Sequence, residues 1–498
     1  MKRNVNAADK LNWARRACAF LVLLAGAAMG LPAQTFKTIF TFNGTEPGGP
    51  TAALVQATNG DLYGGTGDTV FKITPSGTLT TLYTFCTQTV YPYCPDGEGP
   101  VWRLVQATNG NFYGTTQIGG AYAGSYGYGA GSVFKMTPAG TPTTLYSFCA
   151  LLGCADGEFP YAGLVQASDG NFYGTTWGGG ATYSGTVFKI TPGGELTTLH
   201  SCCSQSGCAD GSYPYAGLVQ GTDGDFYGTT SGGGAYGHGD GGGTVFKITS
   251  NGTLTTLYSF CAQSGCPDGD YPIAGLVQAT NGDFYGTTKY GGAYEDGTVF
   301  KITPGGALTT LYSFCSRTGC PDGEYPHAGL LQATDGNLYG TTVFGGANDH
   351  GAVFKITPTG TLTTLYSFCA QGRYPACPDG ENPDAGLVQA TNGDIYGTTP
   401  DGGDCGNCGG TVFGLSVGLG PFVKTEPHSG KAGAAITILG TDLAGATSVS
   451  FNGTQAAFDV VMATEIKTTV PAGATTGKIQ VTTPGGTLLS SGPFLVQP

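Results

Sequence analysis

At 498 residues the chain is long enough for several domains, and only 11% of it is Asp, Glu, Lys or Arg, against about 25% in an average soluble protein. The net charge of −13 argues against nucleic acid or anionic lipid as partner, because an acidic surface repels phosphate. Glycine, at 89 residues, is more than double its usual share, while 11% aromatics and many Val and Leu remain for a core, so the chain reads as turn-dense and β-rich rather than disordered.

Residues 1–33 read as a secretory signal peptide. Lys2, Arg3, Lys10, Arg15 and Arg16 form a basic region, Ala19-Phe-Leu-Val-Leu-Leu-Ala-Gly-Ala-Ala-Met29 is too short to span a bilayer, and Leu31-Pro-Ala33 offers a cleavage site. An uncleaved N-terminal anchor is the alternative. Arg15-Arg16 lacks the residues that a twin-arginine signal carries after it, and Cys18 precedes the apolar stretch, so it is not a lipoprotein cysteine. Without these residues the chain has 15 basic and 32 acidic residues, a net charge of −17.

Phe36-Lys-Thr-Ile-Phe-Thr-Phe42 is a lone strand-like run, followed by seven copies of a four-part phrase. The cleanest copy runs Leu254-Thr-Thr-Leu-Tyr-Ser-Phe260, Ala274-Gly-Leu-Val-Gln-Ala279, Asp283-Phe-Tyr-Gly-Thr-Thr288 and Thr298-Val-Phe-Lys-Ile-Thr303. The Leu-Val-Gln element starts at Leu54, Leu104, Leu164, Leu218, Leu276, Leu330 and Leu387, a period of 50 to 60 residues. Four short β-like runs per unit at that period predict a seven-bladed β-propeller over residues 35–416. Asn59, Asn109, Asp169, Asp223, Asn281, Asp335 and Asn392, each followed by Gly, stand between the first and second runs and predict type I′ hairpin turns. Both tight turns then lie on one face and both long connections on the other, which is where function belongs. The small Ala-Gly-Leu-Val-Gln-Ala run suits the crowded axis and Leu-Thr-Thr-Leu-Tyr-Ser-Phe the rim. The seventh copy stops after Thr411-Val-Phe-Gly-Leu415 without an outer strand, so the N-terminal run is expected to complete it and close the ring.

Twelve cysteines fall into six local pairs after the outer strand: Cys86/Cys94, Cys149/Cys154, Cys203/Cys208, Cys261/Cys266, Cys315/Cys320 and Cys369/Cys377. In an exported chain these read as disulfides. Zinc is the rival, but each repeat offers two cysteines and no histidine at a fixed offset, short of four ligands. Cys405-Gly-Asn-Cys408, in a glycine-rich loop, reads as a further disulfide, and Cys202 stands unpaired where other repeats have Phe.

Eight positions before each inner-strand Leu stand Glu46, Asp96, Asp156, Asp210, Asp268, Asp322 and Asp379. With the inner strand so assigned, this acidic ring is expected around the top of the channel, as a binding site for a hydroxyl-rich ligand or a cation such as Ca²⁺. The alternative is that each Asp caps its own Asp-Gly turn through backbone N–H groups. The repeated Tyr of the second strand and Gln of the first are expected to serve packing between blades. Singular residues are more informative about a site: Trp102, Arg103, Tyr161, Trp177, Tyr215, His327, Phe344 and His350 lie in or beside the long connections. The sequence contains no His-Glu-x-x-His.

The phrase Gly-Leu-Val-Gln-Ala…Asp-Gly-Asn-Phe-Tyr-Gly-Thr-Thr…Gly-Thr-Val-Phe-Lys-Ile-Thr resembles the GloVer tandem repeat of exported bacterial proteins, over roughly residues 36–416. That resemblance implies export and brings no established activity. Members often carry C-terminal surface anchors, and nothing after residue 420 looks like a hydrophobic tail or sorting motif. From Pro421 the phrasing changes. Glu426-Pro-His-Ser-Gly430, Ala435-Ile-Thr-Ile-Leu-Gly-Thr-Asp442, Val449-Ser-Phe-Asn-Gly453 and Gly477-Lys-Ile-Gln-Val-Thr-Thr-Pro-Gly-Gly486 are similar to an IPT/TIG domain, an immunoglobulin-like sandwich, over residues 421–498. Its lysines are offset by acidic residues, so a spacer or docking module is expected rather than a DNA-binding one.

These features predict an all-β, secreted or cell-surface, monomeric binding or scaffold protein with a glycan or another surface protein as ligand. The alternative is a carbohydrate-active lyase or hydrolase using Glu98, Glu158 or Glu324 as acid and base.

Overall fold

The computed structural model describes residues 34–44, 48–87, 94–99, 103–236, 242–372, 376–403 and 409–497. The expected signal peptide, Glu46, Trp102, Cys405 and Cys408 lie outside these residues.

Each repeat folds as one four-stranded antiparallel sheet, its strands paired in chain order. In the third repeat the strands are Val165–Gln166, Phe172–Thr176, Thr186–Ile190 and Leu196–Ser201. The equivalent sheets 1, 2, 4, 5 and 6 span residues 55–84, 105–147, 219–259, 277–313 and 331–367. Sheet 7 takes Val388–Gln389, Ile395–Thr399 and Thr411–Ser416, and its fourth strand is the N-terminal Thr35–Thr41. That strand pairs antiparallel with the last repeat strand, from Thr35↔Ser416 to Thr41↔Thr411. The second and third strands are buried almost throughout, because each sheet is covered on both faces by its neighbours. This is why Phe-Tyr-Gly-Thr-Thr and Thr-Val-Phe-Lys-Ile do not alternate cleanly between apolar and polar.

The inner turn departs from expectation. A type I′ turn needs positive φ at both central residues, whereas here Gly170 alone has it, at 82°. Ala167 N donates to Asn171 O and Gly170 N to Ala167 O, so Ser168, Asp169 and Gly170 form a three-residue loop ending in a left-handed glycine. Asp169 is selected by its side chain instead: its Oδ1 accepts from Asn171 N at 3.0 Å, the local bond that makes Asx residues turn formers.

Successive sheets are tied together by the repeated Gln and Tyr. The Gln106 side-chain oxygen accepts from Thr58 N of the preceding sheet at 2.9 Å. The same bond recurs from Thr108 to Gln166, Ser168 to Gln220, Thr222 to Gln278, Thr280 to Gln332, Thr334 to Gln389, and from Thr391 of sheet 7 to Gln56 of sheet 1. Tyr173 donates its hydroxyl to Asp169 of its own turn and stacks its ring on Phe226 of the next sheet, centroids 3.9 Å apart. Near the rim, the Phe that ends each outer strand meets the next sheet's Phe edge-on, as in Phe260 with Phe300, and Phe42 of the N-terminal segment does the same with Phe71 of sheet 1. Cys202 occupies this position in sheet 3 and is fully buried.

Residues 424–496 form two further four-stranded sheets, around a core that includes Val423, Ile436, Ile438, Val449, Phe451, Ile466, Ile479, Val481 and Phe494. Inward Ile479 and Val481 alternate with exposed Gln480, the pattern of a sandwich. This unit sits on the inner-turn face: Thr464 Oγ1 donates to Thr58 O at 2.9 Å, Thr391 Oγ1 bonds Thr441 Oγ1, and Lys424 Nζ donates to Gln389 O at 2.5 Å.

Because Thr35–Thr41 covers an edge that would otherwise be open, and Phe42 fills a contact between sheets, removing residues 35–43 should lower Tm more than removing the whole C-terminal unit, as scanning calorimetry would show. A larger loss from the C-terminal deletion would refute this.

Candidate functional site

Antiparallel order puts both long connections of every sheet at the end opposite the C-terminal unit. One connection runs from the outer strand of one sheet to the inner strand of the next. It begins with the cysteine loop, and all six expected pairs are disulfides: Cys86–Cys94, Cys149–Cys154, Cys203–Cys208, Cys261–Cys266, Cys315–Cys320 and Cys369–Cys377, with Cα–Cα separations of 4.0 to 4.9 Å. Clusters of ligand-type side chains in these loops, such as Cys86, Cys94 and Glu98, consist mostly of such bonded cysteines, which offer no thiolate to a metal. Cys203, Cys208, Cys261 and Cys266 join no such cluster among the described residues.

Beyond the disulfide itself, the backbone of the second cysteine ties two loops together, as Cys208 and Cys266 show. Both take the left-handed conformation, at φ 53° and 44°. The Cys208 carbonyl accepts from Gly211 N of its own loop and from Gly234 N of the connection between second and third strands, and the Cys266 carbonyl accepts likewise from Gly269 N and Gly292 N. Their backbone therefore joins the two long connections, and their role is structural: neither lines the axial cavity described below.

The six acidic positions among the described residues do not line the axial cavity. Asp156 accepts from the Tyr146 hydroxyl of the outer strand at 2.8 Å and from Ala150 N and Leu151 N of its own cysteine loop. Asp96, Asp268, Asp322 and Asp379 likewise hold Tyr83, Tyr258, Tyr312 and Tyr366, and Asp210 holds His200. Burial alone would raise the Asp210 carboxyl, but hydrogen bonds from Ser204, Gln205 and His200 outweigh it and keep the group below the usual carboxylate range. The reason for the misplacement is reach. Eight residues separate each Asp from the inner-strand Leu, up to about 25 Å of extended chain, and that chain runs inward from rim to axis. Each Asp fastens the cysteine loop to the outer strand, and no three-ligand cluster among the described residues contains any of the six. Glu158 is also engaged, accepting from Ser125 N and Oγ, both at 2.7 Å. Glu381 pairs with His350 at 2.7 Å. Glu324 is pushed up by burial and by Asp296 and Asp349.

Further in, the residue before the repeat proline takes the left-handed conformation in repeats three to seven: Phe159 (φ 57°), Tyr213 (57°), Tyr271 (60°), Tyr325 (53°) and Asn382 (56°). For bulky side chains this is strained, by about 1–3 kcal/mol each. What holds it is a pair of backbone bonds. Phe159 N donates to Ala130 O in the preceding sheet's connection, and Phe159 O accepts from Trp177 N in its own. Tyr213, Tyr271 and Tyr325 repeat both bonds, so each of these residues staples neighbouring loops together.

Two residues past these positions the chain reaches the axis. A cavity of about 1110 Å³ runs along it, lined at the long-connection end by Tyr161, Tyr215, Ile273, His327 and Asp384, and floored by the C-terminal unit through Glu426, Pro427, His428 and Lys467. Tyr161 and Tyr215 stack at 4.8 Å and 12°, Tyr161 meets Trp177 edge-on at 6.0 Å, and Trp177 stacks on Tyr213 at 5.2 Å. Burial pushes Asp384 up to about 7 and, together with Lys289, His327 down to about 4. Asp384 Oδ1 and Thr51 Oγ1 are buried with no hydrogen-bond partner among the described residues.

The sequence singled out Tyr161, Trp177, Tyr215, His327 and Arg103, and all five fall in or beside this cavity. It missed Asp384 and Glu426. The signal for Asp384 was available as the position three before each inner-strand Leu, the most varied place in that run, where six residue types fill seven repeats.

Since the ring aspartates act singly on their own loops, Ca²⁺ and chelator should leave Tm unchanged in calorimetry, and a concentration-dependent rise that Asp268→Asn abolishes would overturn this. Asp384 is protonated more readily folded than unfolded, so it costs the protein stability as pH climbs from about 4 to about 7, and the cost is constant above. Asp384→Asn should therefore raise stability by roughly 2 kcal/mol at pH 8 and make no difference near pH 4, as denaturant titrations at the two pH values would report.

The architecture resembles several solved structures at low sequence identity. A fungal alcohol oxidase of the AA5 family, in complex with copper, matches at TM-score 0.50 and 14% identity, over 94% of this chain and all of that one. The extracellular domains of a hybrid two-component system and of a one-component system of B. thetaiotaomicron each match at TM-score 0.48 and 12% identity, over 88% and 94% of this chain. The chain spans about half the length of the first and 58% of the second. No curated protein matches in sequence. The Gloeobacter/Verrucomicrobia repeat matches in four overlapping stretches, residues 28–240, 121–322, 204–413 and 317–445, and the IPT/TIG domain matches residues 423–496. The chain belongs to the Gloeobacter/Verrucomicrobia repeat family and ends in an IPT/TIG domain.

Proposed function

We propose that this is an exported, non-catalytic binding protein: a seven-bladed β-propeller, closed by its N-terminal strand, that holds a glycan against the aromatic side chains of its long-connection face. One observation carries the reading. Among the described residues every exposed Tyr or Phe (Tyr122, Tyr126, Tyr128, Tyr183, Tyr236, Tyr290, Tyr294 and Phe344) lies on the connection between second and third strands, hence on that one face. Exposed aromatic surface collected on one side marks an interaction site.

The partly buried rings nearer the axis add fixed platforms, Tyr161 on Tyr215 and Tyr213 on Trp177. Carboxylates stand among them, including Asp296, Glu324 and Asp384, and a sugar presents what both groups need, an apolar ring face and a rim of hydroxyl donors. Six disulfides support an oxidising, extracellular setting. The carboxylates offered by the repeats are tied into loop contacts, Glu158 to Ser125 and Glu381 to His350, which favours binding over acid–base chemistry.

A glycan array probed with the purified protein, with reducing-sugar release followed in parallel, tests this. Binding to defined glycans without release is expected. Trp177→Ala should weaken it about tenfold or more, given that a stacked aromatic contributes about 0.5–1.5 kcal/mol beyond its buried area. Release of reducing sugar, or binding unaffected by Trp177→Ala, would count against the proposal.

A further inference from the structure

The walls of the axial cavity are nearly uniform in the repeats, and their one departure points to a ligand. At the position before each inner-strand Leu stand Ala53, Arg103, Gly163, Gly217, Gly275, Gly329 and Gly386. Crowding explains the small residues: a Cβ on Gly163 would lie 2.3 Å from the Arg103 carbonyl oxygen, and one on Gly329 would lie 2.9 Å from that of Gly275. Two positions on, the lining is Val55, Val105, Val165, Val219 and Val277. Into this glycine and valine tube a single repeat projects a guanidinium. Arg103 donates no hydrogen bond and makes no ion pair within 4.0 Å among the described residues, although the Glu426 carboxylate lies close enough to act on it electrostatically. Its side chain is reached by solvent while channel walls surround it.

The charges around Arg103 do not satisfy one another. Lys424 is held down at about 8 by burial and by Arg103, against the pull of Glu426, and Glu426 is pushed up to about 7 by burial. Arg103 and Lys424 outnumber the one carboxylate that acts on both, in a protein whose overall charge is −13. The overall charge does not decide the matter, because exposed charges are screened beyond about 8 Å at physiological salt, while Arg103 lines the cavity and Lys424 acts on it electrostatically. A guanidinium with its fork of donors free is built to take a carboxylate in bidentate fashion.

The mouth is asymmetric too. Asp384 and Arg103 belong to sheets 7 and 2 and line the cavity, and Asp384 holds a buried, unpartnered Oδ1. Tyr161 and Tyr215, stacked, come from the preceding connections of sheets 3 and 4. The cavity thus has a polar arc beside an aromatic one.

We infer that the channel seats a sugar carrying a carboxylate, a uronic acid residue, with the carboxylate on the Arg103 guanidinium in the field of Lys424 and the sugar ring beside Tyr161 and Tyr215. Hydroxyl groups meet Asp384. This rests on the glycan reading above and narrows it to acidic glycans.

Titration calorimetry on the whole exported protein would use trigalacturonic acid, its fully methyl-esterified form and free acetate. The acid should bind at least about tenfold more tightly than the ester, the value of one charge-assisted bidentate contact. Arg103→Gln should remove that preference, weakening the acid to the level of the ester and leaving the ester unchanged, and Arg103→Lys should restore part of it. Equal binding of acid and ester by the unaltered protein would overturn the inference without any variant. So would an acid affinity that Arg103→Gln leaves intact, or acetate binding as tightly as the trisaccharide, which would make this a site for small anions. If the array shows neutral glycans bound through Trp177 while both uronides fail, the channel inference falls and the glycan reading stands. If no glycan binds, both fall.

Discussion

The inner strands approach one another so closely at the axis that an added carbon at Gly163 would sit 2.3 Å from a neighbouring carbonyl oxygen. That crowding governs most of what this molecule can do. It keeps the wall residues small in six of seven repeats, so the tube offers little chemistry of its own. Polar and aromatic groups are pushed to the ring above, at Tyr161, Tyr215, His327 and Asp384, and to the floor below. The Gln-to-backbone bonds at 2.9–3.1 Å between successive sheets set the approach distance. They recur between every pair of neighbouring sheets, while the approach at the glycine wall ranges from 2.3 Å at Gly163 to 3.7 Å at Gly386. Variation is tolerated only where the chain leaves this ring, and there the repeats do vary.

Regularity is also what made the fold readable. The period of 50 to 60 residues, the Asn-Gly or Asp-Gly turn and the missing outer strand of the last copy fix element order, the sidedness of the connections and the pairing of residues 35–41 with 411–416. The six cysteine pairs were legible from spacing alone, but the left-handed backbone of Cys208 and Cys266, which lets one carbonyl serve two loops, was not. The turn type was hidden as well, because Asn-Gly serves both a type I′ turn and the loop found here, and only the φ of the Asn separates them. The acidic ring was placed wrongly for a similar reason. A constant offset from the inner strand says that the aspartates are equivalent, and says nothing of their distance from the axis. Tyr146, on the outer strand of the preceding sheet, is what holds Asp156.

The floor of the channel could not be read from either segment by itself. Lys424 and Glu426 look like part of a balanced, unremarkable set of charges on a spacer domain. Only docking onto the inner-turn face, through Thr464 on Thr58 and Thr441 on Thr391, brings them beneath Arg103. A spacer would need no such placement. Enclosure between the two units disfavours the charged forms of both groups: Glu426 is pushed up to about 7 and Lys424 down to about 8.

A parallel cost appears at the other face. Glycine fits the left-handed position before proline, as Gly99 shows at 66°, and would hold the same two backbone bonds without strain. Four sheets instead place Phe159, Tyr213, Tyr271 and Tyr325 there. Packing alone does not call for them, since Tyr213, Tyr271 and Tyr325 remain partly exposed. The energy forgone is of the same size as an aromatic contact, about 1 kcal/mol, and what it supplies is a ring fixed by backbone bonds at both ends. Unpaired charge below and strained aromatics above bracket the same cavity, which is where a ligand would offset both.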